Sequence, residues 1–383
     1  MKILHLSNII GEKKGGGVHE VVTNIFKYQK IHRHDPHIWY PGSIEEAKSI
    51  GLGKNVQALS TYGPSKYGLI KAILKPIQPE IIQYDIIHQH GIWKPISIYS
   101  RKIRNQTGIK AVIQPHGYLA PLALNQSRHI KKFAYQLYEK NNLTAADALI
   151  ACAYDEAYRL KELFPQKAIA VIPNGISMEF FNSPSNVDLE KKKKRMLFLS
   201  QINPLKGLER LFHVIDSIGI DNFKNWELLI VGYGDKKHLN YLKEITHKLG
   251  LTKFVQFVGP KHGEEKVKMF DSSDLFILPT YTENYGIVVA EALARRIPVL
   301  TTEGAPWREL ETSGCGFWVK NDEEGIKNGL VKVLDATESE LRGMGARGRK
   351  LVEQQYLWSE TTLKTIELYR WLLDSTLKPK FVI

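Results

Sequence analysis

The chain is organised around one stretch, Pro279-Thr-Tyr-Thr-Glu-Asn-Tyr-Gly-Ile-Val-Val-Ala-Glu-Ala-Leu293. The apolar run Leu-Phe-Ile-Leu at 275–278 enters it and predicts a parallel strand that is buried on both faces. A polar loop follows, and residues 287–295 then have a helical pattern. Open α/β sheets bind ligands where the carboxyl end of a strand passes into a helix. The first turn of that helix offers free N–H groups and a positive dipole end, which favour phosphate.

Two carboxylates are placed in this stretch, with seven residues between them. Glu283 lies in the loop, and Glu291 lies about two turns into the helix. Such a pair can hold separate parts of one ligand, for example hydroxyl groups on two sugar rings. The alternative is that Glu283 only complements the helix dipole and that Glu291 is a solvated surface residue. The spacing alone leaves both interpretations open.

The whole pattern from Pro279 to Ala294 closely resembles the signature of glycosyltransferase family 4, the retaining nucleotide-sugar transferases. The resemblance spans nearly the whole chain and is strongest over residues 196–319. It implies the GT-B architecture, in which two Rossmann-like doubly wound α/β domains face each other across a cleft. The C-terminal domain is then expected to hold the nucleotide-sugar donor, and the N-terminal domain the acceptor.

The totals agree with a two-domain globular protein, since the chain has 383 residues, 43% hydrophobic and 24% charged. A net charge of +13 favours anionic partners: a phosphate-rich ligand, an acidic membrane surface or nucleic acid. Cys152 and Cys315 lie far apart and lack metal-type spacing, which predicts a reducing compartment without a disulfide framework or zinc site. We find no signal-peptide pattern and no apolar segment of membrane-spanning length, so a cytoplasmic location is expected.

Strand patterns alternate with helical patterns in two series, which predicts two doubly wound parallel sheets. We place the N-terminal acceptor-binding domain at residues 1–181 and the nucleotide-sugar-binding domain at 195–358. A stretch rich in Ser, Pro and Lys between them predicts a linker. The resemblance implies that the final helix, within 359–383, packs back on the first domain. The expected strands are 2–6, 37–40, 84–88, 111–114, 148–152, 168–172, 196–200, 226–231, 254–258, 275–278, 298–302 and 316–319.

A run of glycines follows the first strand, and we expect a loop there with a helix beginning at Val18. Glycines before a helix let a ligand approach the backbone closely. The resemblance places Gly16 and Gly17 on the acceptor side. The alternative is a loop that is merely flexible.

Histidines follow two strands of the first series. The motif Pro-His-Gly-Tyr-Leu from 115 resembles the family's loop between the domains, which implies that His116 lies beside the donor sugar. A histidine there can donate a hydrogen bond to a sugar hydroxyl or a phosphate oxygen. The alternative is a capping or core residue. For His88 and His90, acceptor-side contacts and structural roles remain equally open.

The strand-to-helix turn of the second domain carries Lys206, which can approach a diphosphate as a point charge. The family usually has an arginine five positions earlier, where this chain has Gln201. A glutamine brings no charge, so either another cation replaces the arginine or the transition state is less stabilised. The candidate cations are Arg308, Lys261, Lys13 and Lys14.

The resemblance assigns the remaining roles. We expect Glu283 to hold the donor sugar and Glu291 the ribose hydroxyls. The catalytic set is then His116, Glu283 and Lys206. The donor-binding set is Gln201, Gly232, Asn284, Tyr285, Gly286 and Glu291, with backbone N–H groups contributed by 284–286. Since no Asp-x-Asp sequence occurs, we expect no metal cofactor and a diphosphate neutralised by Lys206 and helix N-termini.

These residues predict a retaining transferase that moves a sugar from a nucleotide diphosphate donor to a hydroxyl of a glycan or lipid-linked acceptor. UDP-sugars are favoured, GDP-sugars come next, and surface-polysaccharide synthesis in bacteria is the expected setting. The alternatives are a GT-B-shaped nucleotide-sugar epimerase and a catalytically weak nucleotide-sugar binding protein. No nucleic-acid motif accompanies the charge. Basic clusters at 101–104 and 128–132 predict docking on an anionic membrane, the alternative being scattered surface lysines.

Overall fold

The computed structural model describes residues 1–8, 12–43, 45, 51–63, 68–182, 193–374 and 377–383, without the side chains of 12–16. The chain divides into two compact units. Residues Met1–Gly175 and Trp358–Ile383 form the first unit, and Ile176–Leu357 form the second.

The first unit is built on a seven-stranded parallel sheet with the strand order β3-β2-β1-β6-β7-β8-β9. A short antiparallel hairpin, β4-β5, lies outside it. The strands are β1 Lys2–Ser7, β2 Asp35–Pro41, β3 Val56–Leu59, β4 Thr61–Tyr62, β5 Leu69–Ile70, β6 Ile86–His90, β7 Lys110–Gln114, β8 Ala148–Ala151 and β9 Ala168–Val171. The helices up to β9 are α1 Glu12–Ile31, α2 Pro95–Thr107, α3 Pro121–Asn125, α4 Arg128–Ala134, α5 Lys140–Thr144 and α6 Tyr154–Leu163, with a π-helical segment, Tyr135–Glu139, between α4 and α5.

The second unit is built on a six-stranded parallel sheet with the order β12-β11-β10-β13-β14-β15. Its strands are β10 Lys194–Leu199, β11 Trp226–Val231, β12 Val255–Gly259, β13 Leu275–Leu278, β14 Val299–Thr302 and β15 Gly316–Val319. Its helices are α7 Leu208–Ile218, α8 Lys236–Lys248, α9 Gly263–Asp271, α10 Ile287–Ala294, α11 Glu309–Thr312, α12 Glu323–Asp335 and α13 Glu338–Gln355. The chain then returns to the first unit through α14 Trp358–Asp374.

The predicted fold class is confirmed: each unit is a doubly wound α/β sheet, and every strand expected from the sequence is present. The direction of strand addition reverses between β1 and β6 in one sheet, and between β10 and β13 in the other. Ligands bind open α/β sheets at such switch points, outside the carboxyl ends of the strands. The loops that follow β10 and β13 are therefore brought side by side by the topology itself.

The last helix supplies core to the first unit. Leu368 and Tyr369 of α14 are completely buried and belong to one apolar cluster with Ile3, Ile86 and Val112 of the central strands. Apolar area removed from water in this way is the main favourable term in folding. The first sheet is thus completed by residues from the other end of the chain.

The predicted glycine loop before Val18 is wrong. Helix α1 begins at Glu12, so Gly16 and Gly17 lie inside it rather than in a loop that approaches an acceptor. Extending an existing helix by a turn adds one hydrogen bond per residue, which offsets the low helix propensity of glycine. Gly11 lies outside the described residues. Strand β3 was also not foreseen, because Val56–Leu59 is too short to give a clear pattern.

None of the helices in the described part of the chain is both long and apolar enough to cross a bilayer.

Candidate active site

In the second unit, the turn after β10 is fastened to the loop after β13. The backbone N–H of Tyr281 and the hydroxyl of Thr280 both donate to the carbonyl oxygen of Leu205, at 2.8 and 3.0 Å. Gly207 has φ +72°, and a Cβ at that position would lie 2.0 Å from the Pro279 carbonyl oxygen. Only glycine fits so close an approach. The two loops therefore form one rigid wall at the switch point.

This wall brings two of the predicted catalytic residues together, because the ammonium of Lys206 forms an ion pair with Glu283. Both side chains are mostly buried, with 14% and 18% of their surfaces exposed. The backbone N–H of Glu283 donates to the Gly304 carbonyl oxygen at 2.7 Å, which fixes the loop from the other side. An ammonium has three donors and a carboxylate several acceptor sites, so both groups can bind a ligand while they remain paired.

Helix α10 begins directly after this pair. Gly286 precedes it in the left-handed conformation, at φ +78°. The N–H of Val289 donates to the Gly286 carbonyl oxygen at 2.8 Å, and the N–H groups of Ile287 and Val288 come before the first possible helical bond. The side-chain oxygen of Asn284 is buried, and none of the described residues donates a hydrogen bond to it. A buried acceptor of this kind is stabilised by a donor from outside the chain, such as a ligand hydroxyl.

Tyr285 can contact a ligand through its backbone rather than through its ring. The ring is buried with its centroid 5.2 Å from that of Trp307 and 6.2 Å from that of Tyr356. The indole N–H of Trp307 donates to the carbonyl oxygen of Tyr285. These contacts hold the peptide that precedes Gly286 in one orientation.

Glu291 is completely buried, which contradicts the interpretation that it is a solvated surface residue. One carboxylate oxygen forms an ion pair with Lys266 of α9. The other is buried and receives no hydrogen bond from the described residues. A carboxylate with one oxygen held and one vacant suits a hydroxyl-bearing ligand. Sequence reasoning missed Lys266, since it is 25 positions away from Glu291 and lies in an unremarkable helical pattern.

Gln201 is exposed and lies just beyond the end of β10. Among the cations proposed to replace the missing arginine, Arg308 is exposed and Lys261 forms an ion pair with Glu265 at 3.0 Å. The side chains of Lys13 and Lys14 lie outside the described residues. The contacts described here do not join Arg308 or Lys261 to Lys206, so they identify no replacement for the missing arginine.

Arg210 is a buried cation that the sequence reading missed. Its guanidinium donates to the Pro279 carbonyl oxygen and to the Asn321 side chain, both at 2.9 Å. It also lies 4.0 Å from the ring centroid of Tyr281, and burial lowers its pKa. Arg210 thus holds the loop after β13 in position through Pro279 and Tyr281.

Gly232 joins the ends of three strands. It has φ +146°, and a Cβ there would lie 1.9 Å from the Ser200 carbonyl oxygen. Its N–H donates to the carbonyl oxygen of Gly259, at 3.0 Å. This packing alone requires glycine, independently of a nucleotide.

In the first unit, four histidines form a buried cluster. His5 lies on β1, His88 and His90 lie on β6, and His116 follows β7. His5 Nδ1 lies 3.0 Å from His90 Nε2, and His90 Nδ1 lies 3.2 Å from His116 Nε2. His88 and His90 are completely buried, so the alternative left open for them is decided in favour of an interior position over direct acceptor contacts.

The histidines in this cluster are neutral at pH 7. Burial lowers the pKa of His5 to about 4 and that of His116 to about 3. Burial, followed by repulsion from neighbouring histidines, lowers the pKa of His88 and of His90 well below the usual value. Each ring therefore has one N–H donor and one lone-pair nitrogen.

The loop that carries His116 is held in an uncommon conformation. His116 has φ +55° and Gly117 has φ +76°, so two consecutive residues are left-handed. The carboxylate of Glu156 on α6 accepts hydrogen bonds from the N–H of Gly117, at 2.7 Å, and of Cys152, at 2.8 Å. A left-handed histidine persists only where its surroundings impose it, and such residues concentrate at functional sites.

Of the two basic clusters, the one at 101–104 is partly engaged within its own unit. The guanidinium of Arg104 is buried and donates to the Asn142 carbonyl oxygen at 3.2 Å. Lys102 is half-buried and donates to the Ile73 carbonyl oxygen at 2.8 Å. These two cations thus serve as donors to backbone carbonyl groups of the first unit.

Comparison with known proteins agrees with this geometry. The family model described as Glycosyltransferase Family 4 matches residues 15–180, and the model described as Glycosyl transferases group 1 matches residues 180–351. The D-inositol 3-phosphate glycosyltransferase of Nocardia farcinica is 25% identical over 85% of this chain and 77% of that protein. The capsular polysaccharide biosynthesis glycosyltransferase CapM of Staphylococcus aureus is 28% identical over 62% of this chain and 66% of that protein.

Among solved structures, HepE of Anabaena, in complex with UDP and glucose, superposes with a TM-score of 0.75. It is 17% identical, and the superposition covers 96% of this chain and 99% of that one. At this level of identity, the superposition shows a shared fold and nothing more. Together the two family models cover the chain from residue 15 to residue 351, and this protein belongs to glycosyltransferase family 4, with the GT-B fold of two Rossmann-like units.

Proposed function

We propose that this protein is a retaining, metal-independent glycosyltransferase that transfers a sugar from a nucleotide diphosphate donor to a hydroxyl group. Two observations on one helix carry the proposal: the Lys206–Glu283 pair lies at the start of α10, and Glu291, the fifth residue of α10, has one buried carboxylate oxygen without a donor among the described residues. The pair lies where the helix dipole favours phosphate, and Glu291 lies where a ribose can donate to it.

The proposed step breaks the bond between the anomeric carbon and the phosphate oxygen and forms a bond to the acceptor oxygen on the same face. The proton of the acceptor hydroxyl passes to the departing phosphate. Lys206 and the first-turn N–H groups of α10 stabilise the negative charge that develops on that phosphate. Glu283 accepts hydrogen bonds from the donor sugar, and His116 contacts the reacting sugar.

We further propose a uridine donor, with guanosine next, and a glycan or lipid-linked acceptor of surface-polysaccharide synthesis. HepE was solved with UDP and glucose, and CapM takes its name from capsular polysaccharide biosynthesis, which supports both choices by analogy. The family membership favours transfer over the epimerase and binding-protein alternatives.

The test is thermal unfolding against nucleoside diphosphates and their sugars, in buffer with EDTA. We expect UDP and one UDP-sugar to stabilise the protein by about 2.7 kcal/mol at a hundredfold excess over the dissociation constant. Acceptor-dependent product with the anomeric configuration of the donor then establishes retention. Stabilisation that requires a divalent metal, or a sugar epimerised without acceptor, contradicts the proposal.

A second element of the proposal is docking on an anionic bilayer through α4 and the π-helical segment. Ile130, Phe133 and Leu137 recur at helical spacing and are 72%, 67% and 61% exposed. Basic side chains accompany this apolar stripe: Arg128, Lys131, Lys132 and Lys140. An apolar face beside lysines and arginines is the pattern of helices that lie in the headgroup layer of acidic membranes.

Vesicle flotation tests the docking. We expect the protein to float with vesicles that contain phosphatidylglycerol and to remain behind with neutral vesicles. The triple variant Ile130→Ser, Phe133→Ser, Leu137→Ser is expected to lose flotation. The matched control changes three equally exposed residues of the same unit, Ile31→Ser, Leu74→Ser and Ile82→Ser. Equal flotation with both lipids, or equal loss in both variants, contradicts the assignment.

A further inference from the structure

A continuous chain of hydrogen bonds runs through the first unit and ends at His116. It begins at Gln29 on α1, whose side-chain oxygen lies 2.8 Å from His5 Nε2. It continues from His5 Nδ1 to His90 Nε2 at 3.0 Å, and from His90 Nδ1 to His116 Nε2 at 3.2 Å. Gln29, His5 and His90 are completely buried, so these links are shielded from bulk water.

The chain has a direction because each link consumes one donor and one acceptor. The amide oxygen of Gln29 can only accept, so His5 Nε2 donates to it and His5 Nδ1 carries the lone pair. His90 Nε2 must then donate to His5, which leaves His90 Nδ1 as an acceptor. His116 Nε2 must in turn donate to His90. The acceptor at Gln29 thus determines which nitrogen is protonated in each of the three neutral rings.

We propose that Gln29, acting through His5 and His90, fixes His116 as the tautomer with Nε2 protonated, so that its lone-pair nitrogen, Nδ1, accepts a hydrogen bond from the substrate. This rests on the proposed function for the identity of the substrate, and it corrects the expected role of His116. A sugar hydroxyl can donate to Nδ1, whereas an ionised phosphate oxygen has no proton to give. His116 therefore selects a hydroxyl of the reacting sugar, and Gln29 and His90 are positioning residues.

The surrounding contacts hold the rings in place. The Tyr369 hydroxyl forms a hydrogen bond with His88 Nδ1 at 2.6 Å, and the His88 ring lies against that of His90 with centroids 3.9 Å apart. Rotating His90 would break two hydrogen bonds and this contact. His116 is fixed from the other side by its left-handed backbone and by the bond from Gly117 to Glu156. The chain is thus built to keep one arrangement.

A metal site is the alternative interpretation of these rings, because ring nitrogens of His5, His88 and His90 that could bind an ion lie within 4.8 Å of one another. A divalent ion there would displace the proton shared by His5 and His90. It would also bring two positive charges into a completely buried cluster that, among the described residues, includes no carboxylate. Burying such a charge without a counterion is costly. The chain of neutral hydrogen bonds avoids this cost, so we favour it over a metal site.

The test is nuclear magnetic resonance of the full protein labelled with ¹⁵N-histidine, at pH 6.0 and 7.5. His116→Gln assigns the signals of His116. We expect the Nε2–H tautomer of His116 at both pH values. The Nδ1–H tautomer, a protonated ring at pH 6.0, or one equivalent of metal by elemental analysis of the purified protein overturns the proposal.

Variants at Gln29 test the transmission. Gln29→Met removes the acceptor at the start of the chain, so we expect a mixture of His116 tautomers. We also expect the kcat of sugar transfer to fall about tenfold, the cost of one hydrogen bond, with the KM for the donor unchanged. Gln29→Glu restores an acceptor and is expected to restore both the single tautomer and the rate. Gln57→Met, at an exposed glutamine of the same unit, is the control and changes neither.

The two readouts separate the two proposals. If the native protein transfers no sugar but His116 has the expected tautomer, and loses it in Gln29→Met, the proposed function fails and the positioning role stands. If the tautomer in Gln29→Met equals that of the native protein, the positioning role fails whatever the activity. Circular dichroism of both Gln29 variants confirms that they fold.

Discussion

In the second unit, the proposed anion site depends on Lys206, because Gln201 stands where the family usually has an arginine. Gln201 is exposed and neutral, whereas Lys206, the predicted diphosphate cation, is paired with the carboxylate of Glu283. Glu283 balances the charge of Lys206 and keeps its ammonium oriented. The remaining donors of the ammonium can bind a phosphate while the pair persists.

The first prediction follows from this pair. Lys206→Met removes the charge but keeps an unbranched side chain of similar length, so the loop stays packed. We expect kcat/KM to fall about tenfold to a hundredfold, since a charge-assisted hydrogen bond contributes about 1.5–3 kcal/mol. Lys332→Met, at an exposed lysine of α12, is the steady-state control. A Lys206 variant with the kinetics of this control would contradict the role.

The placement of single residues was predictable where a motif carried it and unpredictable where the chain folds distant positions together. Glu283 and Lys206 were found through the resemblance, and the structure pairs them across 77 positions. Arg210 reaches Asn321 across 111 positions, which no local pattern announces. The histidines were visible as strand ends, but their directional chain requires Gln29, an ordinary polar residue within a helix.

At the scale of elements, the turn between β10 and α7 decides how closely two strands' loops can meet. Gly207 combines a left-handed φ with a close approach to Pro279, and these are two separate requirements for glycine. The chain offers a comparison, because Gly250 has nearly the same φ, +69°, with nothing within 4 Å of an added Cβ.

We therefore predict unequal costs for two identical substitutions. Gly250→Ala is expected to lower the free energy of unfolding by about 1 kcal/mol, the cost of a left-handed alanine. Gly207→Ala incurs that cost and also displaces Pro279, and with it the loop of Glu283. Urea unfolding and nucleotide titration of both variants measure the difference. If Gly207→Ala and Gly250→Ala have equal stability and equal nucleotide affinity, Pro279 can move aside at no cost and the prediction is wrong.

Elements themselves were the most predictable level. Parallel strands are covered on both faces, so they stand out in the sequence as apolar runs, as at Leu275–Leu278. The start of α1 could not be predicted, because the glycine run suggests a loop while the helix extends through it. Propensity is a weak prior once neighbouring residues propagate a helix.

At the scale of the whole molecule, the two units differ in what their interiors contain. The first unit encloses four neutral histidines, whereas none of the histidines described in the second unit is buried. Their stabilities should therefore respond differently to mild acid.

We predict that the first unit loses stability as the pH falls below about 6.5. The four histidines of its buried cluster have folded-state pKa values below the ordinary 6.5, about 4 for His5 and about 3 for His116. Between these values and 6.5 the unfolded chain binds more protons, so acid favours unfolding. Each histidine contributes up to about 1.4 kcal/mol per pH unit in that range and nothing further above it.

Urea unfolding between pH 5.0 and 7.5 checks this expectation. His5→Gln removes one titrating ring and should give a shallower pH dependence than the native protein. His213→Gln, at an exposed histidine of the second unit, should keep the native slope. A native stability that is flat from pH 7.5 to 5.0 would contradict the neutral interior.

The return of α14 also sets the order in which the nascent protein can fold. Tyr369 is joined to His88 across 281 positions, which a ribosome adds in roughly 15–55 seconds at about 5–20 residues per second. Residues 176–357 are complete before α14 emerges, so the second unit can finish folding first. Until then the apolar cluster around Ile3 and Ile86 lacks its last layer, and this half-built sheet is the surface that a chaperone on the ribosome would meet.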